Sequence, residues 1–315
     1  VPLAVGNARP DEVAEVLERV WGGDETLIVI SSDLSHFLPC AQAQTRDHAT
    51  VQRILHFASD LQGEEACGAA PLNGALRVAK RYGLEPSVHF VETSTELKDI
   101  QLANLPGAMW HHDLSTVPPY GPILLVANEF LDALPVRQLV MTEGGWRERM
   151  VVPEGDRFVC VAGSQPMDAA IPEARRLAAV GTIIETCPGA AATVYEVAGR
   201  LNEQGGAALF IDYGHDAVRD GSTLQAVRDH LKVDPFMNPG EADLTAHVDF
   251  ATLAPIAQSR GCKWLGTVPQ GRWLRNLGID ARAQTLAERA PQHAAAIEAA
   301  KDRLVGEGQM GLLFK

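Results

Sequence analysis

The sequence predicts an α/β fold: a mainly parallel, doubly wound sheet carrying an antiparallel insertion. Three observations carry this expectation. Short apolar runs, too brief for helices, recur as TLIVI at 26–30, ILLVA at 123–127 and AALFI at 207–211, and such runs read as fully buried strands of a parallel sheet. Helical stretches alternate with them. Each run stops abruptly in polar residues, as SSDLSH, NEFLD and DYG, and ligands of open α/β sheets bind outside the carboxyl ends of strands. The insertion is read from residues 136–142 and 146–152, which flank Gly144-Gly145 as a hairpin, with a third strand at 158–161.

Taken in order, residues 11–21 place Val13, Val16, Leu17 and Val20 on one face of a helix opened by Pro10-Asp11. TLIVI follows as a strand, then a helix over 43–60. Residues 71–82 form another helix, with Leu72, Leu76 and Ala79 on one face and Gly83 as its cap. A strand over 88–91 ends in Glu92, a helix covers 95–104, and a short strand over 108–110 precedes His111, His112 and Asp113. Adjacent histidines on a strand point to opposite sides, which makes them a poor metal pair. After ILLVA come Asn128, Glu129 and Asp132, which suit either helix capping or a site at the strand end. Residues 182–185 read as a further buried strand and 188–202 as a helix. Thr245 and Asp249 are candidate caps, 282–304 is one helix, and 312–314 is a final edge strand.

The bulk numbers narrow the function classes. The chain has 315 residues, 46% of them hydrophobic, with a net charge of −13, enough for one large or two modest cores. Such an acidic chain is a poor partner for nucleic acid or anionic lipid. Five cysteines (Cys40, Cys67, Cys160, Cys187, Cys262) without a CxxC pair point to reduced thiols and a cytoplasmic protein. No apolar run reaches membrane-spanning length, and the Val-Pro start shows no signal-peptide pattern.

The motifs VETSTELKDIQ, NEFLDALPVRQ, GWRERMV, FIDYGH, TLQAVRDH, GEADLTAHVDF and MGLLFK lie in this order between residues 88 and 315. Together they resemble the MidA-like methyltransferases, a family that includes the mitochondrial complex I assembly enzyme. The resemblance implies a Rossmann-like methyltransferase sheet, S-adenosylmethionine as cofactor and a protein arginine as substrate, on a respiratory complex subunit. It assigns Glu92 to the cofactor's ribose and Asp113 to its adenine, and Asp212 at the DYG strand end is a third cofactor-binding candidate. Asn128, Glu129 and Asp132 become the catalytic candidates, with Glu129 and Asp132 holding the guanidinium fork. The family's glycine-rich turn is not found before VETS. ACGAAPLNGALRVAK stands there and offers Gly68 and Gly74 without a G-x-G, which implies weakened cofactor binding.

Residues 1–84 resemble a different family. LIVISSDLSHF and ACGAAPLNGAL are similar to the Memo-like family, whose fold is related to extradiol dioxygenases. Asp33, His36 and Cys67 match three of its pocket positions. The family's two further histidines have no counterpart here, so a vestigial site without bound metal is expected. The chain is thus read as a Memo-like α/β fragment over 1–86 and a methyltransferase domain over 87–315. A Memo-like metal-binding or redox protein, or a non-functional fusion of two fragments, stay open beside it. The oligomeric state is not encoded in any of these features.

Overall fold

The computed structural model describes residues 8–20, 40–66, 69–83, 87, 89–95, 98, 108–228 and 231–315. The chain separates into two compact units, residues 1–124 with 204–207 and residues 125–203 with 208–315. They do not divide at the boundary between 86 and 87 suggested by the sequence. The strand expected at 26–30 and most of the helix expected at 95–104 lie outside the described residues, as do Asp33, His36 and Cys67.

The first unit holds helices α1 (Pro10–Val20), α2 (Cys40–Leu55) and α3 (Ala69–Arg81). Glu12 reaches back to accept the Arg9 N–H at 2.8 Å, satisfying one of the donors left open at a helix start. α1 buries Val13, Ala14 and Leu17 against Val78 of α3, while Val16 and Val20 are exposed. The buried face of α3 is Ala69, Asn73, Gly74 and Val78, not the predicted Leu72, Leu76 and Ala79. Gly74 explains the rotation: a Cβ there would lie 2.7 Å from the Val13 side chain, so the two helices approach over that glycine. Strands β1 (His89–Val91) and β2 (Met109–His111) pair in parallel, His89 opposite Met109 and Val91 opposite His111.

Strand β3 (Ile123–Asn128) pairs with β8 (Gly206–Ile211). The Ile123 N–H donates to Gly205 and the Glu129 N–H to Ile211, a constant offset that makes the pair parallel. β3 is not buried on both faces as expected. Its residues alternate, and Leu124 and Val126 are 67% and 71% exposed, because one side of the ribbon is open to solvent.

The second unit is dominated by a four-stranded antiparallel sheet. β4 (Arg137–Thr142), β5 (Gly145–Glu154), β6 (Arg157–Pro166) and β7 (Ile183–Thr186) lie in the order β6-β5-β4-β7. The expected hairpin is there, turning through Glu143 and Gly144. The strand expected over 182–185 forms, but antiparallel to β4 rather than in a parallel core. Among the described residues this sheet is larger than any parallel one, so "mainly parallel" is corrected to mixed α/β. Leu139, Trp146, Ile171 and Ile184 form its core.

A second core joins Leu131, Val194 and Ala198 of α4 (Pro188–Gln204), and Phe250, Leu253 and Ala257 of α5 (Phe250–Ser259). β9 (Gly214–His215) runs parallel to β13 (Val248–Asp249), and β10 (Gln225–Arg228) lies between β11 (Leu231–Val233) and β12 (Asp243–Thr245). Thr245 is therefore a strand residue, not a cap. Asp249 does cap α5, accepting the Thr252 N–H at 3.2 Å. Asp249→Ala should lower stability by about 1 kcal/mol, read as an earlier thermal unfolding midpoint.

The carboxyl-terminal part carries α6 (Gln270–Asn276), α7 (Ile279–Arg289), α8 (Ala294–Val305) and α9 (Met310–Leu313). The single helix expected over 282–304 is split at Pro291, which opens a 3-10 turn because proline cannot donate to the preceding helix. The strand expected over 312–314 is a helical turn followed by one antiparallel bridge, Phe314 to Tyr213. No helix among the described residues is long and apolar enough to cross a membrane.

Candidate functional site

The NEFLD turn is shaped by what lies behind it. Glu129 leaves β3 with φ +49°, a left-handed conformation that side chains other than glycine adopt at a cost of about 1–2 kcal/mol. Such strain persists only where neighbouring contacts enforce it. Here they are strong. The Glu129 N–H is held by Ile211 at 2.8 Å. Asp212 Oδ1 accepts the N–H groups of Phe130, Leu131 and Asp132 at 2.9, 3.0 and 3.2 Å. Leu131 is anchored in the core with Val194 and Phe250, and the Asp132 carbonyl accepts the Ala246 N–H at 2.9 Å. Asn128 and Glu129 are left exposed.

Asp132 and Asp212 are 3% and 0% exposed, and Asp132 Oδ1 and Asp212 Oδ2 are buried without a hydrogen-bond partner. Burial, joined by the charge of Asp132, pushes the Asp212 carboxyl up to about 7. Burial and then Glu129 raise Asp132. Two carboxylates crowded into a dry site resist ionising together, so each is easier to protonate than a free one. Tyr213 belongs to the same group. Its ring lies 4.0 Å from that of the fully buried Phe314, and burial, Glu129 and Asp132 raise its phenol. The backbones of Asp212 and Lys315 exchange hydrogen bonds of 3.3 and 3.0 Å, so the final residues brace the DYG strand end.

The sequence-named residues fall in both units. Asn128, Glu129, Asp132 and Asp212 come together in the second unit, but Asp132 and Asp212 turn inward and support the turn instead of facing an open edge. Glu92 and Asp113 belong to the first unit. Glu92 follows β1 and accepts the Ser94 N–H at 2.8 Å. Asp113 caps a 3-10 turn through the Ser115 N–H at 2.8 Å, and its hydrogen bonds to Ser115 hold its carboxyl below the usual range. Tyr213 was read only as part of the DYG strand end, and the mutual burial of Asp132 and Asp212 was not read from the sequence. The only signal was the DYG tripeptide at a strand end. Among the described residues no group of three or more His, Cys, Asp or Glu side chains is placed to hold a metal ion.

In α/β folds the turn at the carboxyl end of a parallel strand is where small-molecule and nucleoside ligands commonly bind. Comparison with known proteins narrows the ligand class. Residues 73–268 match the family described as "Putative S-adenosyl-L-methionine-dependent methyltransferase", and the chain belongs to that family. It is 33% identical to the mitochondrial protein arginine methyltransferase NDUFAF7 of Xenopus tropicalis, over 76% of this chain and 63% of that protein. With the human NDUFAF7 the identity is 35%, over 64% of this chain and 51% of that protein. The chain thus spans between half and two thirds of the length of these relatives. A Burkholderia thailandensis crystal structure bound to S-adenosyl-homocysteine superposes with a TM-score of 0.61 and 27% identity, covering 86% of this chain and 74% of that one. The relatives are named as mitochondrial, which overturns the cytoplasmic expectation. Scattered thiols report a reducing environment rather than an address.

Proposed function

We propose that the chain transfers a methyl group from S-adenosylmethionine to an arginine of a protein substrate, a respiratory complex subunit being the first to test. The observation that carries this reading is the exposed Glu129, held in a left-handed turn above the buried Asp132 and Asp212. A carboxylate fixed in this way can take one edge of a guanidinium, bias its charge and leave one nitrogen as nucleophile. Family membership and the arginine methyltransferase relatives support it. The cofactor supplies a sulfonium methyl open to in-line displacement. Glu92 fits its ribose, since a carboxylate oriented by the Ser94 N–H is an acceptor suited to vicinal hydroxyls. Asp113, with Oδ1 committed to Ser115, keeps Oδ2 for an adenine amine. Asn128 sits beside Glu129 as a second polar contact for the substrate.

The lead segment over residues 1–84 is taken as a Memo-like remnant that holds no metal, and the absence of a G-x-G turn as a cause of weak cofactor affinity. Incubation with methyl-labelled S-adenosylmethionine and mitochondrial protein extract, followed by amino-acid analysis, should place label in methylarginine. Label confined to other residues, or none although calorimetry shows the cofactor bound, would refute the arginine reading.

A further inference from the structure

The β1–β2 pair carries a chain of side-chain hydrogen bonds to which the proposed methyl transfer assigns no role. Ser87 Oγ lies 2.8 Å from His89 Nε2, His89 Nδ1 lies 2.8 Å from His111 Nε2, and His111 Nδ1 lies 3.0 Å from Thr116 Oγ1. The Thr116 hydroxyl in turn donates to the Asp113 carbonyl at 3.0 Å. That last bond sets the direction of all the others. A carbonyl only accepts, so the single hydroxyl hydrogen of Thr116 is committed to it, and Thr116 Oγ1 must accept from His111. His111 is therefore protonated at Nδ1, and its Nε2 is an acceptor. His89 must then donate through Nδ1, which leaves Nε2 as a lone pair facing the Ser87 hydroxyl. The serine is the donor at the head of a one-way chain.

The strand pair holds the two imidazoles in place. On the opposite face of the strand pair Phe90 and Trp110 stack at 5.3 Å and 17°, which fixes the register. The Glu92 N–H donates to the His111 carbonyl at 2.9 Å. The two imidazoles are half-buried, whereas Ser87 is exposed. Partial burial and the neighbouring His111 lower His89, so it is neutral near pH 7 and competent as a base.

We propose that Ser87 is a base-activated nucleophile that accepts an acyl group from an activated carboxylic ester. A nucleophile bonded to a base, itself oriented by a third group, is the general arrangement for covalent catalysis. Ser87 Oγ forms a bond to the carbonyl carbon and the bond from that carbon to the leaving oxygen breaks. The hydroxyl proton passes to His89 Nε2 and from there to the departing oxygen. During the step His111, accepting through Nε2, stabilises the imidazolium of His89. The reaction itself needs no cofactor, although its chain ends on the Asp113 carbonyl.

The test uses p-nitrophenyl acetate with the full chain, following nitrophenolate release and mapping the acetylated peptide by mass spectrometry. The acetyl group should be found on Ser87, and Ser87→Ala should abolish that adduct. His89→Asn should slow acetylation of Ser87 by about a hundredfold or more. Thr116→Val, which keeps both imidazoles but removes the group that sets the tautomer, should slow it by roughly tenfold. If His89→Asn proves poorly folded by circular dichroism, Thr116→Val reads the same chain in an intact protein. Acetylation spread over other hydroxyls and lysines with Ser87 unmarked, or a Ser87 rate unchanged in the folded variants, would overturn the proposal.

Discussion

Asp212→Ala should unfold the NEFLD turn and lower stability by about 4 kcal/mol. Its carboxylate is the acceptor for three successive backbone N–H groups, two of them on the buried residues Leu131 and Asp132. An unpartnered buried donor costs about 1–3 kcal/mol. Relief of the repulsion with Asp132 offsets only part of this, because burial rather than that repulsion is the main cause of the raised carboxyl. Asp212→Asn separates the two effects, since an amide oxygen can accept the same three bonds while carrying no charge. Urea unfolding of the two variants should give a large loss for alanine and little or none for asparagine at pH 8. Equal losses would mean that the charge, and not the acceptor, holds the turn.

The same residue makes stability depend on pH in the direction opposite to a salt-bridged carboxylate. In the folded chain the Asp212 carboxyl titrates at about 7 instead of its ordinary 3.8. Between those values the folded chain holds a proton that the unfolded chain has released, so stability falls as pH rises. Below the lower value both states are protonated and no penalty exists. Above the upper value both are ionised and the penalty is complete. Thermal midpoints should therefore decline from about pH 5 to pH 8, and Asp212→Asn should flatten that decline.

How much of this was legible in the sequence follows from range. The hairpin through Glu143 and Gly144 and the Asp249 cap are local, set by a Gly pair between alternating residues and by an Asp before an apolar helical face. β7 was legible as a strand but not in its direction, because an apolar run such as TIIE reads alike in either sheet. Its antiparallel place reflects a long-range network, with Glu185 accepting from Gln138 and from the Thr223 N–H at 2.7 and 2.8 Å. The inward turn of Asp132 depends on the left-handed Glu129. No propensity predicts that conformation for glutamate, since the turn that follows it is held by Asp212 across 80 to 82 residues of chain. The His89–His111 contact is set by a diagonal across the β1–β2 register, which a motif cannot state. Pro291, by contrast, was a visible break, masked by the Ala/Glu-rich composition on both sides.

Replacing Glu129 with glutamine should lower kcat for arginine methylation by about a hundredfold or more while cofactor binding is unchanged. The amide keeps the size of the side chain and the backbone bond to Ile211, and removes only the charge that orients the guanidinium. A second replacement tells strain from function. Glycine at 129 adopts φ +49° without steric cost. Glu129→Gly should therefore be as inactive as Glu129→Gln, yet as stable as the parent or more stable by up to about 1 kcal/mol. Removing the charge also relieves Asp132, whose carboxyl Glu129 helps to raise, so the two contributions to stability have the same sign. A position where an unstrained residue gains stability and loses turnover is one where strain is retained for the reaction. Full methyl transfer by Glu129→Gln, measured at saturating cofactor, would remove Glu129 from the mechanism. A Glu129→Gly protein less stable than the parent would show that its side chain is structural instead.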